Sequence, residues 1–173
     1  MANGIAITLS SYLSDDKTSL PSPLSAELLT QQIAAWLSHT EGATFNLYFG
    51  NMANESLYAV SLYPERSVVF ANNSVPEHLL RRFITDNLDL LADPRNSIGI
   101  WYSEALNSVY LDISATLPDR LEAVSLGEWY NQEAIYDLAG NEVIDTGGSG
   151  EDRGGWALET ERLPPLLLRK NRL

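Results

Sequence analysis

Cysteine is absent from this 173-residue chain. That removes disulfides, thiol nucleophiles and thiolate metal ligands together. Histidine is nearly absent, with only His39 and His78. A structural zinc site needs about four Cys or His ligands, and no HExxH pair exists for a catalytic one. Lysine is scarce, occurring only at Lys17 and Lys170. The lysine of a phosphate-binding GK[ST] loop is therefore missing, as is that of a Glu-x-Lys nuclease strand. No run of about 18 apolar residues is present, so no membrane span is expected. The opening MANGIAITLSSYLSDD has neither the cationic start nor the long apolar core of a signal peptide. A cytoplasmic protein is the expectation, with no cofactor and no metal.

Positive charge is the other shortage. Eleven basic side chains face 23 acidic ones, a formal balance of −12. A field of that sign repels phosphate backbones and anionic membranes, which speaks against direct nucleic-acid or membrane binding. The cations do cluster at Arg169, Lys170 and Arg172. Residues 1–147 carry 19 acidic and 6 basic side chains, a balance of −13, whereas 148–173 carry 4 and 5. Five of the eleven glycines fall between Gly147 and Gly155. The change in composition divides the chain into one domain, 1–147, and a glycine-rich hinge with a Leu/Pro-containing tail, 148–173.

What is present is an ordinary globular composition, 45% hydrophobic and 20% charged. Ile5–Leu9 reads as a short strand and Ser10–Ser22 as a polar loop. Ser22 can cap a helix opened by Pro23, with Leu29, Ile33, Trp36 and Leu37 on one face and Gly42 as its stop. Thr44–Phe49 alternates Phe45, Leu47 and Phe49 against Asn46 and Tyr48, the period of a half-buried strand. Ser56–Tyr63 and Ser67–Ala71 are strands around the turn Pro64-Glu65-Arg66. Ser74-Val75-Pro76-Glu77 has the form of a capping box before a helix carrying Leu80, Phe83, Ile84, Leu88 and Leu91. That helix is expected to stop at Asp93-Pro94.

Ile98–Tyr102 and Ser108–Ser114 follow as strands. Thr116-Leu117-Pro118-Asp119 repeats the capping pattern, and Gly127 weakens the next helix by about 1 kcal/mol relative to Ala. Ala134–Leu138 and Glu142–Ile144 close a hairpin around Ala139-Gly140-Asn141. The expected fold is α+β, a mixed and largely antiparallel sheet with about three helices packed on it. Three successive helix–strand–strand units suggest an internal repeat, though any such segment with ordinary turns gives the same pattern.

No catalytic cluster emerges. Gly147-Gly148-Ser149-Gly150 lacks the GxSxG elbow because Glu151 occupies the last position. As a backbone phosphate cradle it would face Glu151 and Asp152. Asp112, Asp137 and Asp145 lie on or beside strands, and together they are the residues a carboxylate-dependent, metal-assisted hydrolase would use. Alternation instead sets Trp101, Tyr110 and Asp112, with Tyr48, opposite the apolar face of Val109, Leu111, Ile113, Ile98 and Ile100. Aromatics on an open sheet face with few charges mark a partner or dimer surface, the alternative being a second core that covers this face too, as the two-sided apolar run Leu57–Leu62 suggests. The segment Leu163-Pro164-Pro165-Leu166-Leu167-Leu168 and Trp156 are the other apolar groups that require cover. The resulting expectation is a non-enzymatic protein–protein interaction or regulatory module, binding a protein partner or itself as a homo-oligomer. An acidic inhibitor, immunity protein or nucleic-acid mimic for a basic partner is the alternative.

Overall fold

The computed structural model describes residues 7–15, 17–37 and 42–151. Trp156 and Leu166–Leu168 lie outside these residues, as do His39 and most of the 148–173 tail. The described elements are α1 (Leu9–Ser14), α2 (Ala26–Leu37), β1 (Gly42–Asn46), β2 (Gly50–Asn51), β3 (Tyr58–Ser61), a 3-10 turn (Pro64–Arg66), β4 (Val68–Ala71), α3 (Glu77–Asp86), α4 (Leu88–Leu91), β5 (Asn96–Ser103), β6 (Ser108–Leu117), α5 (Arg120–Trp129), β7 (Ala134–Asp137) and β8 (Glu142–Asp145).

The fold is α+β. One sheet runs β2-β1-β5-β6-β3-β7-β8, with β4 on the same edge of β6 as β3. All strand pairs are antiparallel. The only parallel feature among the described residues is an isolated bridge from Asn72 to Ser108. β6 organises the sheet because it is long enough to serve two partners end to end. Its Ser114–Leu117 half pairs with β3, and its Ser108–Leu111 half pairs with β4. The strands on either side of Pro64-Glu65-Arg66 therefore do not pair with each other. They form one interrupted edge, and the bend between them sends Leu62 and Tyr63 fully into the core.

Five α-helices are described rather than about three, because short pieces flank the expected ones. At the N-terminal end, Ile7 and Thr8 do not lead a strand into a polar loop. Thr8 Oγ1 accepts from the Ser11 amide and Ser11 Oγ accepts from the Thr8 amide, both at 3.1 Å. That reciprocal cap opens α1, and Leu9, Tyr12 and Leu13 share its buried face. The next helix starts at Ala26, with the Ser25 hydroxyl accepting from the Leu28 amide at 3.1 Å, so the cap lies three residues beyond Ser22. Ser74 does not cap α3. Pro76 occupies that position without a side-chain bond. The expected single helix to Asp93 is divided at Asn87, whose Nδ2 donates to the Phe83 carbonyl at 2.8 Å.

β1 ends at Asn46, earlier than its alternation suggests. Asn46 Oδ1 accepts from the amides of Tyr48 (2.9 Å) and Phe49 (3.3 Å), which turns the chain. The Asn46 amide nitrogen donates to the carbonyls of Pro94 and Asn96 and to Ser97 Oγ. A fully buried side chain thus ties the end of β1 to the start of β5. Of the proposed repeat units, the second and third are each a helix followed by an antiparallel hairpin. In the first, β1 and β3 are not neighbours, and the fold does not establish duplication.

The two sheet faces are covered unequally. Helices α2, α3, α4 and α5 pack on one face over Val60, Ile98, Ile100, Val109, Leu111 and Ile113. On the other face α1 joins Met52, Leu57 and Leu138 in a smaller cluster. Tyr136, whose neighbour Ile135 belongs to the main core, packs against that cluster and shows which face it covers. No helix among the described residues is long and apolar enough to cross a membrane.

Candidate interaction surface

The part of the second face that α1 leaves uncovered is built in rows across the strands. One row crosses four strands, with Gly42 of β1, Trp101 of β5, Tyr110 of β6 and Val69 of β4 mutually in register. The Trp101 and Tyr110 rings lie 5.4 Å apart at an interplanar angle of 35°, within the range of favourable aromatic pairs. Gly42 offers no side chain to cover the indole. Trp101 is 54% exposed and Val69 53%. Burying such groups on a partner removes apolar area worth roughly 25 cal/mol per Å² from water.

The next row is Thr44, Gly99 and Asp112. The Asp112 carboxylate lies over the backbone of Gly99, where a Cβ would collide with its Oδ1 and stand 2.9 Å from Ser114 Oγ. Ser114 donates to Asp112 Oδ1 at 2.6 Å. Burial pushes the Asp112 carboxyl above the ordinary carboxylate range, and the Ser114 hydroxyl only partly offsets this. Beyond it, Asn46, Ser97 and Ser114 form a row of buried polar groups. The face thus grades from exposed aromatic, through one half-buried carboxylate, to a closed polar layer.

Tyr48 does not join this surface. It follows β1 in the turn, packs against the main core and donates its hydroxyl to the Ala92 carbonyl at 2.9 Å. Phe49, its neighbour, goes to the second cluster instead. The turn at Asn46 exchanges the faces that alternation assigns to these two residues.

The three carboxylates read as a metal set are apart in the fold. Asp137 pairs with Glu142 at one end of the β7–β8 hairpin and Asp145 with Ala134 at the other. Asp137 Oδ1 accepts from the amides of Ala139 and Gly140, and Asp145 Oδ1 from that of Gly147. No group of three metal-ligating side chains occurs among the described residues. His78 is exposed in the first turn of α3.

The glycine segment is fastened down as far as Glu151. Thr146, Gly148 and Gly150 donate their amides to the carbonyls of Glu133, Gln132 and Asn131. Ser149 donates to Asn131 Oδ1, and Asn131 Nδ2 donates to Ser149 Oγ and the Glu151 carbonyl. Backbone donors that a phosphate cradle requires are spent within the protein. A Cβ on Gly148 would strike the backbone of Asn131 and Gln132, so glycine here serves close packing.

Sequence reasoning found β4 as a strand over Ser67–Ala71 but missed its place at an exposed edge. Its run Val68-Val69-Phe70-Ala71 has no polar phase, which resembles a strand buried on both sides. Among the described residues β4 pairs only with β6, which leaves its other backbone edge without a strand partner there, and both Val68 and Val69 are exposed. No protein-family model, no curated protein and no solved structure matches this chain.

Proposed function

We propose that this protein is a non-enzymatic interaction module, acting as a homo-oligomer or adaptor through the open end of its second sheet face. The observation that carries this reading is the in-register row of exposed Trp101, half-buried Tyr110 and exposed Val69, beside an edge of β4 that no described strand pairs. Large apolar rings held on rigid strands lose little conformational freedom on binding, which favours them as anchors. An open strand edge supplies backbone donors and acceptors alongside them.

The test uses the full chain with Trp101→Ala and Tyr110→Ala, each exposed enough for replacement to spare the core. Solution mass and recovery of partners from the native cell are compared with the unaltered protein. Loss of a dimer or of a partner in both variants supports the reading. A monomer that recovers no partner in any form overturns it.

A further inference from the structure

On the opposite side of β4 lies a groove of about 360 Å³, floored by Val68, Phe70, Leu79 and Phe83. It separates the helix-side surface of β4 from α3. Val68 is 40% exposed there. The arginines at its rim already face acids, Arg66 to Asp89 at 2.8 Å and Arg82 to Asp86 at 3.3 Å. What the groove offers is therefore apolar area in a strongly acidic domain.

The last described residues run in the direction of this groove. Tyr58 pairs with Asp137 and Ala59 with Tyr136, so the start of β7 lies towards the end of β3. Residues 146–150 then run alongside 133–131, continuing in the same direction. That direction leads to the bend Pro64–Arg66, two of whose residues, Glu65 and Arg66, line the groove. Beyond Glu151 come 12 residues to Leu163, which extended span at most about 40 Å, enough to cross a domain of this size. The segment Leu163–Leu168 is apolar, and its two prolines favour an extended course. It is flanked by Arg162 on one side and by Arg169, Lys170 and Arg172 on the other. Those cations suit a domain whose residues 1–147 balance at −13.

We infer that the β4–α3 groove is the docking site for this chain's own segment Leu163–Leu168, bound in cis. The leucines take the floor between Val68, Phe70 and Leu79. The linker's tethering raises the local concentration of the segment, so docking needs only modest intrinsic affinity. The inference is independent of the sheet-face reading, which uses the other side of β4.

Because the chain has no native cysteine, paired replacements report proximity without background. Full-length protein carrying Val68→Cys with Leu167→Cys is compared with Leu121→Cys with Leu167→Cys. Leu121 is 74% exposed at the start of α5. Docking predicts a disulfide within one chain at Val68 that forms at least tenfold faster than at Leu121. Equal rates, or a disulfide joining two chains, would overturn it. In a second measurement, Leu166→Asp, Leu167→Asp and Leu168→Asp are combined in otherwise native protein. Amide exchange at residues 68–71 is expected to accelerate at least tenfold, and unchanged exchange there would also overturn the inference.

Discussion

Asp112 illustrates how a single side chain can oppose the stability of the strand that carries it. It is seated half-buried where Gly99 leaves room, with the Ser114 hydroxyl as its partner. Its raised pKa means that the folded state holds a proton more tightly than the unfolded one. Stability from this group is then greatest below the ordinary carboxylate pKa and declines as pH rises through the raised value. Asp112→Asn retains an oxygen that can accept from Ser114 and removes the buried charge. The variant is expected to be more stable than the native protein at pH 7, with the gain vanishing as the pH falls below the ordinary carboxylate range. Chemical denaturation at several pH values checks this. A gain that persists at low pH, or a loss at neutral pH, would contradict the assignment. The facing of Trp101, Tyr110 and Asp112 was legible from alternation with Val109, Leu111 and Ile113. The Gly99 seat was not, because it depends on register between two strands.

Helix boundaries show where local signals compete. Thr116 and Asp119 both have capping chemistry, and the sequence pattern favours Thr116. In the fold Thr116 extends β6, and its hydroxyl donates to the Arg95 carbonyl at 2.7 Å. Asp119 is the cap, accepting from the Glu122 amide at 2.8 Å. Asp119→Ala is therefore expected to destabilise the protein by about 1 kcal/mol, measurable by urea unfolding, whereas no loss would place the cap elsewhere. Gly127 sits inside the same helix despite its poor propensity. A Cβ there would lie 2.8 Å from Ile135 and 2.9 Å from Thr146. Close approach to β7 and to Thr146, just after β8, explains a residue that propensity alone penalises. The pair β3 and β4 makes the same point. Their composition announces strands, but only the length of β6 places both on one edge.

Two apolar clusters of unequal size lie on opposite sides of one sheet, and they are expected to respond differently to damage. The larger joins α2, α3, α4 and α5 to every long strand. The smaller depends on α1, a six-residue helix too short to persist without its contacts. Leu9→Ala removes a fully buried side chain from it, a change that typically costs about 2–5 kcal/mol. Hydrogen exchange should accelerate at residues 9–14 while protection of β5 and β6 is largely kept. Equal loss across the sheet would show that the clusters unfold as one. The sequence settled the acidic character, the exclusion of thiol and thiolate chemistry, the α+β class and the inward phase of the central strands. Each of these follows from composition or from periods of two and about four residues along the chain. Tertiary structure alone decided that β4 is an edge, that Tyr48 turns into the main core, and that Trp101, Tyr110 and Val69 stand in one row. Those facts depend on which strands meet and how far each is shifted, and such pairings join residues that are remote in sequence.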